Sequence, residues 1–286
     1  MVGHGWEIAV RARAELGEGP TWDPVAERLL WVDILGARVH SFDPASGRRV
    51  VLPTEQHVGA VKPTADGGLV VNLRDGIGRY GPDGGFRWLH REVVPGRRGN
   101  DAAVAPDGAL WAGSMRYDER AGGGNLVRLT PAGEVEVVLP EATVSNGLGW
   151  SPDGGTLYYV DTPTRRVDAF RVTEDGGVAD RRTLVDTGGL AGFPDGMTVD
   201  ADGCLWVAFW DGGAVRRFTP DGVLDRTVEL PASRTTACAF GGPGLTDLYV
   251  STARVGTDPG AEPLAGSLLV LPGLGRGVAQ PPFAGR

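Results

Sequence analysis

Short apolar runs, each ended by a turn signal, recur along the whole chain, and nowhere does apolar spacing of three and four build a helix of ordinary length. One phrase returns six times: a polar residue or glycine, a short apolar run, a Pro-Asp-Gly-like turn, then an aromatic or β-branched run. Its copies are GEGPTWDPVAERLLWVD, VGAVKPTADGGLVVN, GNDAAVAPDGALWAG, SNGLGWSPDGGTLYYVD, FPDGMTVDADGCLWVAF and TTACAFGGPGLTDLYVS. Their spacing of about 41 to 49 residues is that of a four-stranded propeller blade and too long for a leucine-rich repeat. The Asp-Gly or Gly-Gly pair inside each copy predicts a hairpin turn, because such turns need a positive φ that glycine adopts at little cost. Weaker alternating runs such as RVHSFDP, NLVRLTP, RVDAFRV and AVRRFTP predict the outer strands. The expected fold is all-β, a six-bladed β-propeller forming a single domain over residues 1–286. WEIAV, which precedes the first copy, is expected to pair with the blade ending in SLLVLP and close the ring.

Aligning the copies on their turns puts Glu18, Gly59, Asn100, Asn146, Asp195 and Thr236 at one equivalent position, just before the innermost strand. In a propeller these six residues converge at one end of the central channel. Four are carboxylates or amides, and unpaired buried charge costs several kcal/mol, so a divalent cation is the natural compensation. Glu18 and Asp195 would neutralise it; Asn146, with Asn100 as a further candidate, would supply amide oxygen. An all-oxygen set suits Ca2+, Mg2+ or Mn2+, and zinc also accepts carboxylates. Turn capping or a water-lined channel is the plainer alternative. The DADG at residues 200–203 resembles part of a calcium loop, but it occupies the recurrent turn and is read as a hairpin. Arg98, two residues before Asn100, points to the same side of an extended segment and could grip substrate oxygens. Two long loops between second and third strands, residues 116–124 and 254–265, are the expected lid and specificity loops. From these and the matching loop of blade five, Asp118, Glu119, Trp210, Asp211 and Arg254 are candidates to reach a ligand.

Composition narrows the partners. A formal charge of −8 opposes nucleic-acid binding. Lys62 is the sole lysine, and nearly all positive charge is arginine, which reads as compositional bias. No run approaches the ~18 apolar residues of a membrane span, and MVGHGWEIAVRARAE lacks a signal-peptide core. Cys204 and Cys238 sit in apolar strand-like runs and are expected to be buried thiols. A soluble, cytoplasmic protein is therefore expected, with no nucleic-acid or membrane partner and no basis for assigning an oligomeric state.

LGEGPTWD, RRGNDAAVAPDGALWAGSM, VSNGLGWSPDGGTLYYVD, FPDGMTVDADGCLWVA and RTTACAFGG with LYVSTAR, in this order over nearly the whole chain, resemble the regucalcin/gluconolactonase family, also called the senescence marker protein family. The resemblance implies a six-bladed propeller with one divalent metal ion that hydrolyses sugar lactones to aldonic acids. It places the metal ligands on Glu18, Asn146 and Asp195 and the substrate-contacting arginine and asparagine on Arg98 and Asn100. The family's acidic substrate contact falls on Asp118, shorter than the glutamate expected there, with Glu119 adjacent. Gly99 replaces a bulkier residue and is expected to loosen its segment.

Lactone hydrolysis needs a polarised carbonyl, an activated water and a stabilised oxyanion, and one metal ion can serve all three. Asp195 is the expected general base, with a small-molecule sugar lactone as substrate. His4, His40, His57 and His90 stand outside the repeat motifs, and neither a G-x-S-x-G elbow nor an H-E-x-x-H motif occurs, so a Ser-His-Asp triad and a zincin lack support. Two other readings stay open: an esterase or phosphotriesterase on the same metal site, and a non-enzymatic calcium-binding regulator or scaffold.

Overall fold

The computed structural model describes residues 5–285, leaving His4 outside the described residues. Its strands form six four-stranded antiparallel sheets, the blades of a β-propeller. The innermost strands are Gly17–Asp23, Val58–Pro63, Arg97–Val104, Ser145–Trp150, Phe193–Val199 and Thr235–Gly241. In blades one to five the next three strands of the chain follow outward in order. Blade six takes its outermost strand, Glu7–Val10, from the beginning of the chain, with Glu7 opposite Val270. This is the closure expected from WEIAV.

Strand alternation explains why the blades stack. Successive side chains of a strand point to opposite faces, so each blade offers apolar residues to both neighbours. In the second strand of blade four, Leu157 and Tyr159 join the cluster shared with blade three, whereas Tyr158 and Val160 join the one shared with blade five. Six such clusters fill the six seams of the ring. The turns between first and second strands use glycine as expected: Gly67, Gly108, Gly154 and Gly203 have φ of 87°, 81°, 73° and 80°. Asp200 in the DADG turn accepts the backbone N–H groups of Asp202 and Cys204, the Trp206 indole N–H and the Arg217 guanidinium, so its oxygens are spent within the hairpin. Cys204 and Cys238 are buried free thiols. Among the described residues, no helix is long and apolar enough to cross a membrane.

One feature has no counterpart in the repeat. After Leu271 the tail runs beneath the propeller, on the side of the first hairpin turns. Ala201 N–H donates to Arg276 O, Gly277 N–H donates to Leu245 O, and the segment then reaches blades two and three. There Phe283, 1% exposed, enters the core of that seam. Its N–H donates to Pro63 O, while Ala65 N–H donates to Phe283 O and Ala284 N–H to Gly108 O. Passing from blades five and six to blades two and three, the tail runs along the far ends of inner strands, with Val278, Ala279 and Gln280 lining a small cavity with Thr21, Thr198 and Ala239.

Candidate active site

The ring position coincides with a break in register in every blade. The pairing of first and second strands shifts between Glu18 and Thr21, Val58 and Ala60, Gly99 and Ala102, Ser145 and Leu148, Pro194 and Met197, and Thr235 and Ala237. A β-bulge twists a strand and re-aims a side chain; here it turns one residue per blade toward the axis. Glu18, Asn100, Asn146 and Asp195 all line one pocket of about 310 Å³. The other two ring residues serve the fold. Thr236 Oγ1 donates to Gly17 O at 2.6 Å, tying blade six to blade one, and a Cβ on Gly59 would lie 2.4 Å from Asn100 O.

Around this polar floor the pocket has an apolar wall that includes Met115, Val144 and Phe193, and a rim formed by Trp210, at the end of a second strand, and by Glu119, Thr162 and Asp211, between second and third strands. Arg98, 6% exposed, joins the floor. Its guanidinium donates to Asn100 Oδ1 at 2.6 Å and to Gly99 O at 2.9 Å, and Asn100 Nδ2 donates to Ser145 O. Arg98 also lies 5.9 Å from the centre of the Tyr117 ring, whose hydroxyl is 2.6 Å from His57 Nδ1.

The floor is electrostatically incomplete. Burial, reinforced by the charge of Asp101, pushes the Glu18 carboxyl from its ordinary value near 4.5 up to about 8. Burial and then the charges of Glu18 and Asp101 hold Asp195 well above the usual carboxylate range. Asn146 Nδ2 donates to Asp195 Oδ1 and to Thr162 Oγ1, but Asn146 Oδ1 is buried with no hydrogen-bond partner. An orphaned buried acceptor is uncommon in folded proteins and calls for an explanation. Among the described residues no three His, Cys, Asp or Glu side chains are grouped to hold a metal ion. The residues that could hold one are the carboxylates of Glu18 and Asp195 with the amide oxygen of Asn146, a set whose chemistry suits a hard cation.

Three expectations meet corrections. Asp118 is not on the pocket wall: both its oxygens accept from the Arg116 guanidinium, at 2.8 and 2.9 Å, and Glu119 lines the pocket instead. Glu119 adopts φ of 51°, and this left-handed residue changes which acid of the pair meets the cavity. Arg254 pairs with Glu15 at 2.9 Å, and its loop contributes nothing to the pocket. Gly99 does not loosen its segment. A Cβ there would lie 2.6 Å from Asn72 Oδ1, so the Asn72 side chain of blade two fills the space.

Asn72 was not legible beforehand. It donates to Asn100 O at 3.0 Å and to Gly113 O at 2.8 Å, bracing the ring residue from the next blade. The Val-Asp ends of two second strands are a signal that could have been read. Asp33 accepts the N–H groups of Glu15 and Leu16, and Asp161 those of Thr143 and Val144. Each carboxylate thereby fixes the segment entering its inner strand, just ahead of Glu18 and Asn146.

Fold and site define a six-bladed β-propeller with an oxygen-rich axial pocket, and comparison with known proteins gives its family. The SMP-30/Gluconolactonase/LRE-like region matches residues 16–254, and the chain belongs to that family. It is 35% identical over 288 residues to 6-deoxy-6-sulfogluconolactonase of Pseudomonas putida, covering 98% of each chain. It is 37% identical over 246 residues to pentonolactonase XacC of Haloferax volcanii, covering 85% of this chain and 84% of that one. Among solved structures, a calcium-binding protein, regucalcin, from Agrobacterium tumefaciens superposes with a TM-score of 0.93 at 30% identity over 96% of both chains.

Proposed function

We propose that this chain hydrolyses a sugar lactone to the aldonic acid, with Glu18, Asn146 and Asp195 holding one divalent cation and Asp195 acting as general base. The observation that carries the reading is the orphaned Asn146 Oδ1 beside two buried carboxylates with raised proton affinity. A cation would satisfy the amide oxygen and displace the protons. The lactonase names of two relatives and the calcium-binding name of the structural neighbour support it.

When bound, such a cation supplies Lewis-acid polarisation and a more acidic water. The chain's residues do the rest. Arg98 and Asn100 orient hydroxyl and carbonyl oxygens from the floor, and Glu119 accepts a sugar hydroxyl at the rim. Met115, Val144 and Phe193 face the C–H surface of the ring. Asp195 takes one proton of the attacking water as the water oxygen bonds to the carbonyl carbon; the ring C–O bond then breaks, and the departing oxygen takes that proton from Asp195 to leave as a hydroxyl, which restores the carboxylate. Buried charged and amide donors suit a hydroxylated substrate better than an apolar ester, whose approach would desolvate the Arg98 guanidinium without giving its remaining N–H groups an acceptor.

Acid release from gluconolactone, a pentonolactone and aryl esters, measured with Ca2+, Mg2+, Mn2+ or Zn2+ after chelation, tests this directly. Lactone turnover should depend on one of these ions, and Asp195→Ala should reduce it by about a thousandfold with the fold intact. Full activity in the chelated protein or in the variant would refute the mechanism, and faster turnover of aryl esters would move the substrate class.

A further inference from the structure

The loop of residues 254–265, between the second and third strands of blade six, does not line the pocket, yet it is joined to two residues that do. The join is Arg234, just ahead of that blade's innermost strand, Thr235–Gly241. Its Nε donates to Asp211 Oδ1 at 3.1 Å, its guanidinium lies 4.7 Å from the centre of the Trp210 ring, and its Nη1 donates to Val255 O. One planar cation thus holds an acid and an aromatic of the blade-five rim together with the blade-six loop. The fork of an arginine can do this; the point charge of a lysine cannot.

The loop is shaped to receive that side chain. Gly256 has φ of 65°, and a Cβ there would lie 2.5 Å from Arg234 Nη1, so any larger residue would meet the guanidinium. Further along the loop, Glu262 accepts the Ser233 N–H at 2.7 Å and the Ser233 hydroxyl at 2.8 Å, and Ala253 N–H donates to Arg234 O at 2.9 Å. Both residues ahead of the inner strand are therefore clamped from blade six. Ser233 O in turn accepts the Gly213 N–H at 2.9 Å, beside Asp211. Phe193, opposite Trp210 in the strand pair, is also backed by an arginine, Arg165, 4.4 Å from its ring centre. Arg165 belongs to a loop that already lines the pocket through Thr162, whereas Arg234 brings in a loop that does not.

We propose that Arg234 is a positioning residue through which the loop of residues 254–265 sets substrate selectivity, by fixing Trp210 and Asp211 as a subsite for the hydroxylated arm that a lactone carries outside its ring. A lactone whose carbonyl meets Asp195 and Arg98 on the floor extends its far side to the rim. There Trp210 offers an aromatic face to C–H groups and Asp211 an acceptor to a hydroxyl. The inference rests on the lactonase reading above and deepens it.

Two lactones separate this subsite from the floor: gluconolactone, and six-membered xylonolactone, which lacks only the hydroxymethyl arm. Arg234→Met should raise KM for gluconolactone about tenfold with kcat within about twofold, and leave KM for xylonolactone within about twofold. Arg234→Lys keeps the charge without the fork and should resemble Arg234→Met. Gly256→Ala, outside the pocket, should shift selectivity in the same direction, and it carries the test if Arg234→Met does not fold. Hydrogen exchange followed by mass spectrometry should show residues 211–213 exchanging faster in each variant, which tests the tie apart from the reaction. Equal KM changes for both lactones would reduce Arg234 to a support of the whole pocket, and wild-type behaviour of Arg234→Lys would assign the effect to charge alone; either result overturns the proposal. Unchanged KM in Arg234→Met and Gly256→Ala, with wild type active on both lactones, would overturn this inference and spare the lactonase reading. Wild type that opens neither lactone would remove that reading, and this inference with it.

Discussion

At the far end of the channel the tail seats Phe283 in the seam between blades two and three and closes backbone hydrogen bonds on Pro63, Ala65 and Gly108. At the mouth, the inner strands of blades one, four and five leave an amide oxygen without a partner and two carboxylates pushed toward their protonated forms. Hairpin turns and alternating apolar residues agree with each other at the far end. At the mouth a bulge in each blade sets aside the ladder and turns a polar side chain into low dielectric. Local conflict of this kind, repeated around a ring and supported by well-packed seams, is what a binding site requires. The difference shows how one repeat can carry both stability and chemistry, on opposite sides of a register shift.

The contrast can be broken first at the far end. Phe283→Ala should cost about 3 to 5 kcal/mol of stability, as removing a fully buried aromatic does, while lactone kcat measured well below the new melting temperature stays within about twofold. A large drop in kcat with little change in melting would show that the two ends are coupled.

A pH series sharpens the other half. Glu18 holds its proton more tightly in the folded metal-free chain, near 8 against an ordinary 4.5. Between these values the folded state carries more protons than the unfolded one, so metal-free stability is greatest at the acidic end and falls as pH rises toward 8. Melting of the chelated protein should decline by several °C over that window, and Glu18→Gln should flatten the decline. A melting temperature that rises with pH over this range would contradict the assignment.

The smallest effect distinguishes two adjacent acids at the rim. Glu119→Gln should raise the lactone KM by about tenfold with little change in kcat, the loss of one charged hydrogen bond to substrate. Asp118→Asn should leave KM within about twofold, because Asp118 is held by Arg116. The opposite ranking would return the contact to Asp118.

The six blades and the ring residues were legible because each is written in the repeat, and aligning six copies turns a weak local pattern into a strong one; the closing strand lies outside the repeat and was legible because the last blade would otherwise present an open edge. Three kinds of feature were not. Glu119 is chosen over Asp118 by a left-handed backbone in a loop without periodicity. The space left by Gly99 is filled from another blade by Asn72, a tertiary fact with no local signature. Lys62 was noted only as the sole lysine beside an arginine-rich composition, and its hydrogen bond to Thr21 of the neighbouring blade has no local signature.

The pairing of Glu7–Val10 with Leu268–Leu271 also bears on how the molecule is made. Glu7–Val10 must wait for a partner that leaves the ribosome some 260 residues later, so the ring cannot latch before Leu268–Leu271 has emerged. Until then blade six lacks its outer edge, and the waiting segment is free to pair with a neighbouring nascent chain. A circular permutant that joins the two strands directly would turn the slowest contact of the fold into a local hairpin.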